Sequence, residues 1–459
     1  MYRENAWKKY TTEEFSKVME YNQGYKTFLS KGKTERACVK EALIMAKEKG
    51  FIDLEEVIAS KKNLKPGDKV YALNKDKNIA LFVMGSRPME EGLRILGAHV
   101  DSPRLDLKQN PLYESENFAL LDTHYYGGIK KYQWVTLPLS LYGVIIKKDG
   151  SKIDLIIGED DDDPIFCISD LLIHLSADQL KNTGYKVVEG ENLDVTIGNI
   201  PLKGEEKDGV KKNILRILRE KYGMEENDFL SAEIEVVPSG KARDCGLDRS
   251  MVMGYGQDDR VCAYTSLTAL LEVDSCEYTS CCFLVDKEEI GSVGATGAQS
   301  LFMENTIGEI IASMDSESLL KVRRSLTNTK MLSSDVSAGV DPLYVNVNDK
   351  KNAAYLGQGI VFNKYTGARG KSGCNDANPE YMAQIRKILD QEKINYQTAE
   401  LGRVDQGGGG TIAYIMGNYN MNVIDAGVPV LNMHAPWEIV SKADVYEAYM
   451  AYKAFLKEI

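Results

Sequence analysis

Between residues 261 and 314 the chain reads VCAYTSLTALLEV (261–273), YTSCCFLVD (278–286) and AQSLFMENTIGEIIASM (298–314). The first and third segments place apolar residues at helical spacing. The second is a short apolar run with the length and composition of a buried strand. A sheet buried on both faces needs helices on each, so helix, strand, helix is the building unit of an α/β layer. The alternation continues through KMLSSDVS (330–337), GIVFNKYT (359–366), PEYMAQIRKILDQEK (379–393), GTIAYIMGNY (410–419), PVLNMH (429–434) and DVYEAYMAYKAFLKEI (444–459).

Upstream, TTEEFSKVMEYNQGYKTFLS (11–30) opens with a Thr-x-x-Glu helix start, and TERACVKEALIMAKEKG (34–50) repeats the amphipathic pattern before Gly50. Two strand-like runs, DKVYALNK (68–75) and NIALFVMGS (78–86), follow around a short charged turn, and then LRILGAHVD (93–101). From about residue 111 to 237 the character changes. Short runs such as WVTLPLSLYGVIIKK, KIDLIIG and LDVTIG alternate with acidic or glycine-containing turns, and helical stretches are expected near 169–180 and 208–222. The simplest architecture is a discontinuous α/β domain from residues 1–106 and 244–459, interrupted by a β-rich insert at 107–243.

Composition narrows the function. The 459 residues carry 56 Lys+Arg against 68 Asp+Glu, a net charge of −12. Nucleic acid and anionic membrane surfaces both attract basic faces, so neither is an expected partner. The longest apolar run, at 137–146, is half of the roughly 20 residues that a spanning helix requires. The N-terminal stretch is charged throughout, and the eight cysteines show no CxxC spacing. Reduced thiols in a cytoplasmic protein are expected. Only four histidines are present, His99, His124, His174 and His434, so an imidazole-dependent site must draw on them.

Five segments place metal-compatible or acid–base residues at the ends of apolar strands, the edge at which α/β sheets build sites. In GAHVDSP, His99 and Asp101 are two apart and share a face in extended chain. Such an aspartate can orient a metal-bound imidazole, although HxD alone also fits a hydrogen-bonded structural histidine. Asp258 and Asp259 precede a helix, where one caps the N-terminus and either can bridge cations. Glu288 and Glu289 follow the strand YTSCCFLV and point opposite ways, which divides metal binding from proton transfer between them. Asp335 follows KML, with Asp341 as a turn-like competitor. His434 ends PVLNM before the C-terminal helix. As a set, these are the ligands expected of divalent ions in hydrolases.

Together the segments resemble the aspartyl aminopeptidase family of dinuclear metallo-aminopeptidases, which also contains a vacuolar leucine-preferring enzyme. The likeness rests on AHVDSPRLDLK, THYYGGIKKYQWV, LLIHLSADQ, GQDDRVCAY, DKEEIGSVGATG, SSDVSAG, DQGGGGTIAYI and MHAPWEIVSKADVY, in the family's order. It implies a zinc-peptidase-like mixed sheet sandwiched by helices, with an inserted β-rich dimerisation domain. It implies two divalent ions per subunit, Zn2+ foremost with Co2+ and Mn2+ also compatible. One ion would be held by His99 and Asp335 and the other by Glu289 and His434, with Asp258 between them. Glu288 would be the general base for a metal-activated water, and Asp101 the partner of His99. The same likeness implies dimers that assemble into a tetrahedral dodecamer, with His174 reaching a neighbour's site.

The resulting expectation is an aminopeptidase that removes N-terminal residues from peptides. An acidic preference would draw on cations in FNKYTGARGKSG, with Lys364 and Lys371 as candidates that also fit exposed loop charges. The glycine run 407–410 is expected to open a helix, as an anion site or a close helix–sheet contact. Two other readings keep the metals: a deacylase or carboxypeptidase, and an inactive metal-stabilised assembly protein. The pairing of Glu288 with Glu289 speaks against the last, since a structural site has no use for a base.

Overall fold

The structure, a computed structural model, describes residues 4–315 and 318–458. The chain forms two compact units. One runs to Ser102 and takes in Ala242–Met433 and the chain from Glu438 onward, and the other comprises Pro103–Lys241 with His434–Trp437. These limits differ from the sequence-based 107 and 243, because the sheet of the second unit starts at Arg104 and the chain is back in the first by Arg243.

In chain order the first unit begins with helices α1 (Thr12–Lys31) and α2 (Glu35–Glu48), strand β1 (Ile52–Asp53) and α3 (Leu54–Ser60). Strands β2 (Lys69–Asn74), β3 (Asn78–Val83) and β4 (Arg94–His99) follow. The second unit contributes β5 (Arg104–Ser115), β6 (Phe118–Tyr126), β7 (Leu139–Ile146), β8 (Lys152–Ile157), β9 (Val195–Gly198), α4 (Gly209–Tyr222) and β10 (Ala232–Pro238). The chain returns through β11 (Arg243–Cys245), β12 (Met251–Gly254), α5 (Gln257–Leu271), β13 (Ser280–Val285), α6 (Phe302–Ala312) and α7 (Leu319–Asn328). It ends with β14 (Lys330–Ser333), β15 (Ser337–Ala338), β16 (Ile360–Asn363), α8 (Pro379–Gln391), β17 (Tyr396–Thr398) and α9 (Ala413–Gly417). Strands β18 (Asn422–Gly427), β19 (Pro429–Leu431) and β20 (Glu438–Ser441) lead into α10 (Lys442–Glu458).

The first unit is organised on a nine-stranded mixed sheet of order β1-β2-β3-β13-β4-β14-β18-β16-β17. Its central strands are buried on both faces, which is why they read as continuous apolar runs. On β13, Cys282 and Leu284 enter one core, with Tyr25 and Leu29 of α1, Val39 of α2, Leu267 of α5 and Phe455 of α10. Cys281, Phe283 and Val285 enter the other, with Val57 of α3, Ile307 and Ile310 of α6, Leu326 of α7 and Met416 of α9. The sheet is thus sandwiched by helices, as expected. Full burial of a side chain such as Phe283 or Leu284 stabilises by about 1.5–3 kcal/mol. The adjacent Cys281 and Cys282 serve opposite cores, and all eight cysteines are free. A smaller sheet of order β11-β12-β20-β19-β15 completes the unit.

The second unit carries a six-stranded antiparallel sheet of order β8-β7-β10-β5-β6-β9. The helix expected near 208–222 is α4, closed by Gly223 in the left-handed region. The helix expected near 169–180 does not form. Only single turns appear there, at Ile173–Leu175 and Gln179–Lys181. Local side chains capture the backbone instead: Ser176 Oγ donates to the Ile173 carbonyl, and Asp170 Oδ1 accepts from Leu171 N–H and Gln179 Nε2.

At the N-terminus the Thr-x-x-Glu signal is a capping box. Thr11 accepts from Glu14 N–H, and Glu14 accepts from Thr11 N–H. The run Gly407–Gly410 does not open a helix, contrary to expectation. Gly408 sits at φ +135°, where a side chain would strike Ala368, and α9 starts only at Ala413.

Candidate active site

Strands β13, β4 and β14 lie side by side and parallel, with His99 opposite Val285 and Gly97 opposite Ser333. Their C-terminal ends release the chain along one edge of the sheet. Strand β4 ends in His99 and passes to Asp101, β13 delivers the turn that carries Glu288 and Glu289, and β14 leads to Asp335. Gly427 of β18 lets Asp335 come this close, because a Cβ there would lie 1.8 Å from the Asp335 carbonyl oxygen. Asp258 and Asp259 enter from the first turn of α5 through a cis peptide bond.

His99 is the hub. Its Nε2 lies 3.1 Å from Asp258 Oδ1 and 4.0 Å from Glu288 Oε2. Its Nδ1 lies 3.0 Å from the Asp101 carbonyl oxygen and 3.3 Å from Asp101 Oδ1. A proton on Nδ1 held by Asp101 leaves the Nε2 lone pair facing the carboxylates, the tautomer a metal ligand needs. The backbone carbonyl is the nearer acceptor, which the sequence spacing did not indicate. The Asp101 carboxylate has other work: it accepts the N–H of Glu288 at 3.2 Å and of Glu289 at 3.1 Å. One side chain thus ties the histidine to the turn bearing both glutamates.

Donor atoms of His99, Asp258 and Glu289 lie within 4.8 Å of one another, as do those of His99, Glu288 and Asp335. Asp258, Asp259 and Asp335 form a third such group. Asp259 is fully buried, with Oδ2 accepting the His99 N–H at 3.3 Å. The electrostatics follow from the crowding. Burial works against the His99 cation, yet hydrogen bonds to Asp101 and Asp258 and the Asp259 charge outweigh it and raise its pKa well above the ordinary histidine value. Burial, then neighbouring carboxylates, hold Asp259 and Asp335 well above the usual carboxylate range. Asp286, below the glutamate turn, is pushed up to about 7 by burial and by Glu35 and Asp101. Oxygen and imidazole donors gathered this tightly, with one imidazole among several carboxylates, fit divalent cations such as Zn2+.

The other sequence candidates have the following surroundings. His434 follows β19 with φ +65° and groups with the second unit, where its Nδ1 lies 2.8 Å from the Gly128 carbonyl oxygen. His174 is exposed, among Leu172, Ile173 and Leu175, themselves more than half exposed. Lys364 and Lys371 both pair with Asp376. Lys364 follows strand β16, which runs antiparallel to β18 with Asn363 opposite Asp425. Asp341 accepts the Leu343 N–H in a turn, and Asp335 alone of the two joins the cluster.

Two supporting residues were missed. Glu438, 1% exposed, accepts the Asp258 N–H at 3.1 Å, and Ser102 Oγ donates to the Asp258 carbonyl at 2.6 Å. Both lie inside recognised blocks, GAHVDSP and MHAPWEIV, but only the fold turns them toward Asp258.

A family model described as Aminopeptidase I zinc metalloprotease (M18) matches residues 28–456. The chain belongs to the M18 family of zinc metalloproteases. It is 60% identical over 453 residues to the "Probable M18 family aminopeptidase 1" of Clostridium acetobutylicum, covering 98% of this chain and 97% of the relative. The crystal structure of the M18 aminopeptidase of Thermotoga maritima superposes with a TM-score of 0.95 at 45% identity, over 100% of both chains. A structure of the S. cerevisiae mApe1 dodecamer shares the fold at TM-score 0.77 and 19% identity, covering 95% of this chain and 96% of that one. This M18 enzyme is a metallo-aminopeptidase, a hydrolase of peptide bonds that works with a metal cofactor. Among its described residues no helix is long and apolar enough to cross a membrane.

Proposed function

We propose that the enzyme trims N-terminal residues from peptides with two divalent ions, Zn2+ first among them, held by His99, Asp335, Asp258, Glu289 and His434, and with Glu288 as general base. The observation that carries the reading is the convergence of His99, Asp258, Glu288, Glu289 and Asp335 donors at one sheet edge. For His434 it rests on the block MHAPWEIVSKADVY. Bound there, the ions supply Lewis-acid polarisation of the scissile carbonyl and a lowered pKa for the attacking water.

The protein's own residues do the rest. Asp101 holds the proton on His99 Nδ1 and fixes the backbone of the glutamate turn. Glu288 Oε2, partly open to solvent, takes a proton from water and returns it to the leaving amine. Asp259 and Glu438 hold the two main-chain segments that present His99 and Asp258.

We assign the second unit to dimerisation within a homo-oligomer of dodecameric type, supported by the mApe1 dodecamer fold and by the exposed Leu171, Leu172, Ile173, Leu175 and Leu180. His174 lies in that stretch and is the candidate to serve a neighbouring subunit's site. Eight free thiols suit a reducing cytoplasm. An acidic preference through Lys364 and Lys371 is the weaker reading, since both already pair with Asp376.

A panel of aminoacyl p-nitroanilides, including Leu, Asp and Glu, tests the proposal alongside metal analysis. Cleavage abolished by chelation, restored by Zn2+ and blocked by N-acetylation of the substrate is expected. Two equivalents of metal per chain should fall when His434 is replaced by Ala. Equal release of p-nitroaniline from N-acetylated substrates would overturn the requirement for a free α-amine.

A further inference from the structure

The segment from Asp286 to Gly297 is closed into a loop at its base. Asp286 Oδ1 accepts the Lys287 N–H at 2.8 Å, and Asp286 Oδ2 accepts the Thr296 hydroxyl at 2.6 Å. The two sides also meet as backbone, where Asp286 N–H donates to the Thr296 carbonyl at 3.3 Å and Asp286 forms a bridge with Gly297. Inside the loop, Ser292 N–H donates to the Lys287 carbonyl at 2.7 Å. Gly297 is obligatory, because a Cβ would sit 2.1 Å from the Ser292 carbonyl oxygen.

The loop is tied to a second element as well. The hairpin β2–β3 turns through Lys75 and Asp76, both in the left-handed region, and carries an asparagine on each shoulder. Asn74 Nδ2 donates to the Ala295 carbonyl at 2.7 Å, and Asn78 Nδ2 to the Thr296 carbonyl at 2.6 Å. Asp286, Thr296 and Asn78 are all buried. None of them touches the donor cluster around His99, and a solvated loop needs no such fastening. What the fastened loop displays is Glu288 and Glu289.

We propose that Asp286 and Thr296, braced by Asn74 and Asn78 of the β2–β3 hairpin, are positioning residues that hold Glu288 at the reactive edge. The proposal rests on Glu288 being the base. Asp101 grips the loop at the amides of Glu288 and Glu289, while the clasp grips it at its base, so the carboxylate is fixed from two directions. A proton-transfer group displaced by an ångström loses rate while substrate binding elsewhere is retained.

The test compares Thr296→Val, which keeps the side-chain shape and removes the hydroxyl donor, with Thr296→Ser, which keeps the donor. Asn74→Ala, at a half-buried position beside the hairpin turn, is a milder change. Zinc content, kcat and KM on a leucine p-nitroanilide, and amide hydrogen exchange across residues 286–297 are measured on the purified enzyme. T296V should lose at least about tenfold in kcat with KM and zinc content little changed, and exchange across the loop should accelerate. T296S should stay within about twofold of the parent, and N74A should show a smaller form of the same changes.

Unchanged exchange and kcat in T296V would overturn the clasp. So would equal losses in T296V and T296S, which would assign the effect to packing. Faster exchange with parental kcat is resolved by Glu288→Gln. If that variant is inactive, the positioning role fails; if it too is fully active, the base assignment fails.

Discussion

Two groups of charge in the first unit differ in a way that separates the proposed reaction centre from a surface. At the edge formed by β13, β4 and β14, Asp258, Asp259, Glu288, Glu289 and Asp335 surround one imidazole, and burial drives the pKa values of Asp259 and Asp335 upward. After β16, Lys364 and Lys371 share Asp376, all three well exposed, and Asp376 lies below the usual carboxylate range because Lys364 and then Lys371 favour its charge. The second arrangement is open to solvent, which screens its charges. The first gathers buried carboxylates whose repulsion the proposed divalent cations would offset.

The largest effect expected from breaking this contrast is at Glu288. Glu288→Gln keeps the shape and removes the base, so kcat should fall by about 10²–10⁴-fold with zinc content unchanged, as steady-state kinetics and metal analysis would show. A kcat within a factor of a few of the parent would remove Glu288 from the mechanism.

A second change asks what a buried carboxylate costs where no cation serves it. The carboxylate of Asp425 on β18 accepts the Thr411 hydroxyl at 2.6 Å, and burial nevertheless pushes it up to about 6. Because its folded pKa is raised above the unfolded value, its favourable contribution is complete below the unfolded pKa and is lost as pH rises through 6. Asp425→Asn should therefore stabilise the protein by about 1–3 kcal/mol at pH 8, with the gain vanishing toward pH 4. Denaturant melts across that range report it, and a gain that grew on acidification would contradict the assignment.

The smallest effect belongs to the exposed group. Removing Lys364 and Lys371 together should change stability by less than about 1 kcal/mol, the range of exposed ion pairs. It should also leave the ratio of Asp- to Leu-anilide cleavage unchanged. A selective loss of Asp-anilide cleavage would restore these lysines to the substrate pocket.

Much of this was legible in the chain. The buried strands announce themselves because both faces are covered and no alternation is needed, and strand-end positions mark His99, Asp335 and the Glu288–Glu289 pair. The failures are local and physical. The block LLIHLSADQ carries helix-like apolar spacing, but Asp170 and Ser176 bond to backbone groups beside them, Gln179 donates to the Val187 carbonyl, and the apolar side chains stay exposed. QGGGG looked like a helix opening, yet Gly408 occupies a conformation that a helix excludes. Glu438 and Ser102 were present in recognised blocks without a signal to separate them from their neighbours.

By itself the sequence determined the layer, the edge and the chemical types at that edge, because hydrophobic periodicity and strand-end placement are properties of neighbours in the chain. Only the tertiary structure decided which carboxylates meet. It alone showed that Asp101 holds the amides of both glutamates and that Asn74 and Asn78 reach the loop carrying them. Those are contacts over about two hundred residues of chain, set by which strands pair and in what register, and no local pattern encodes them.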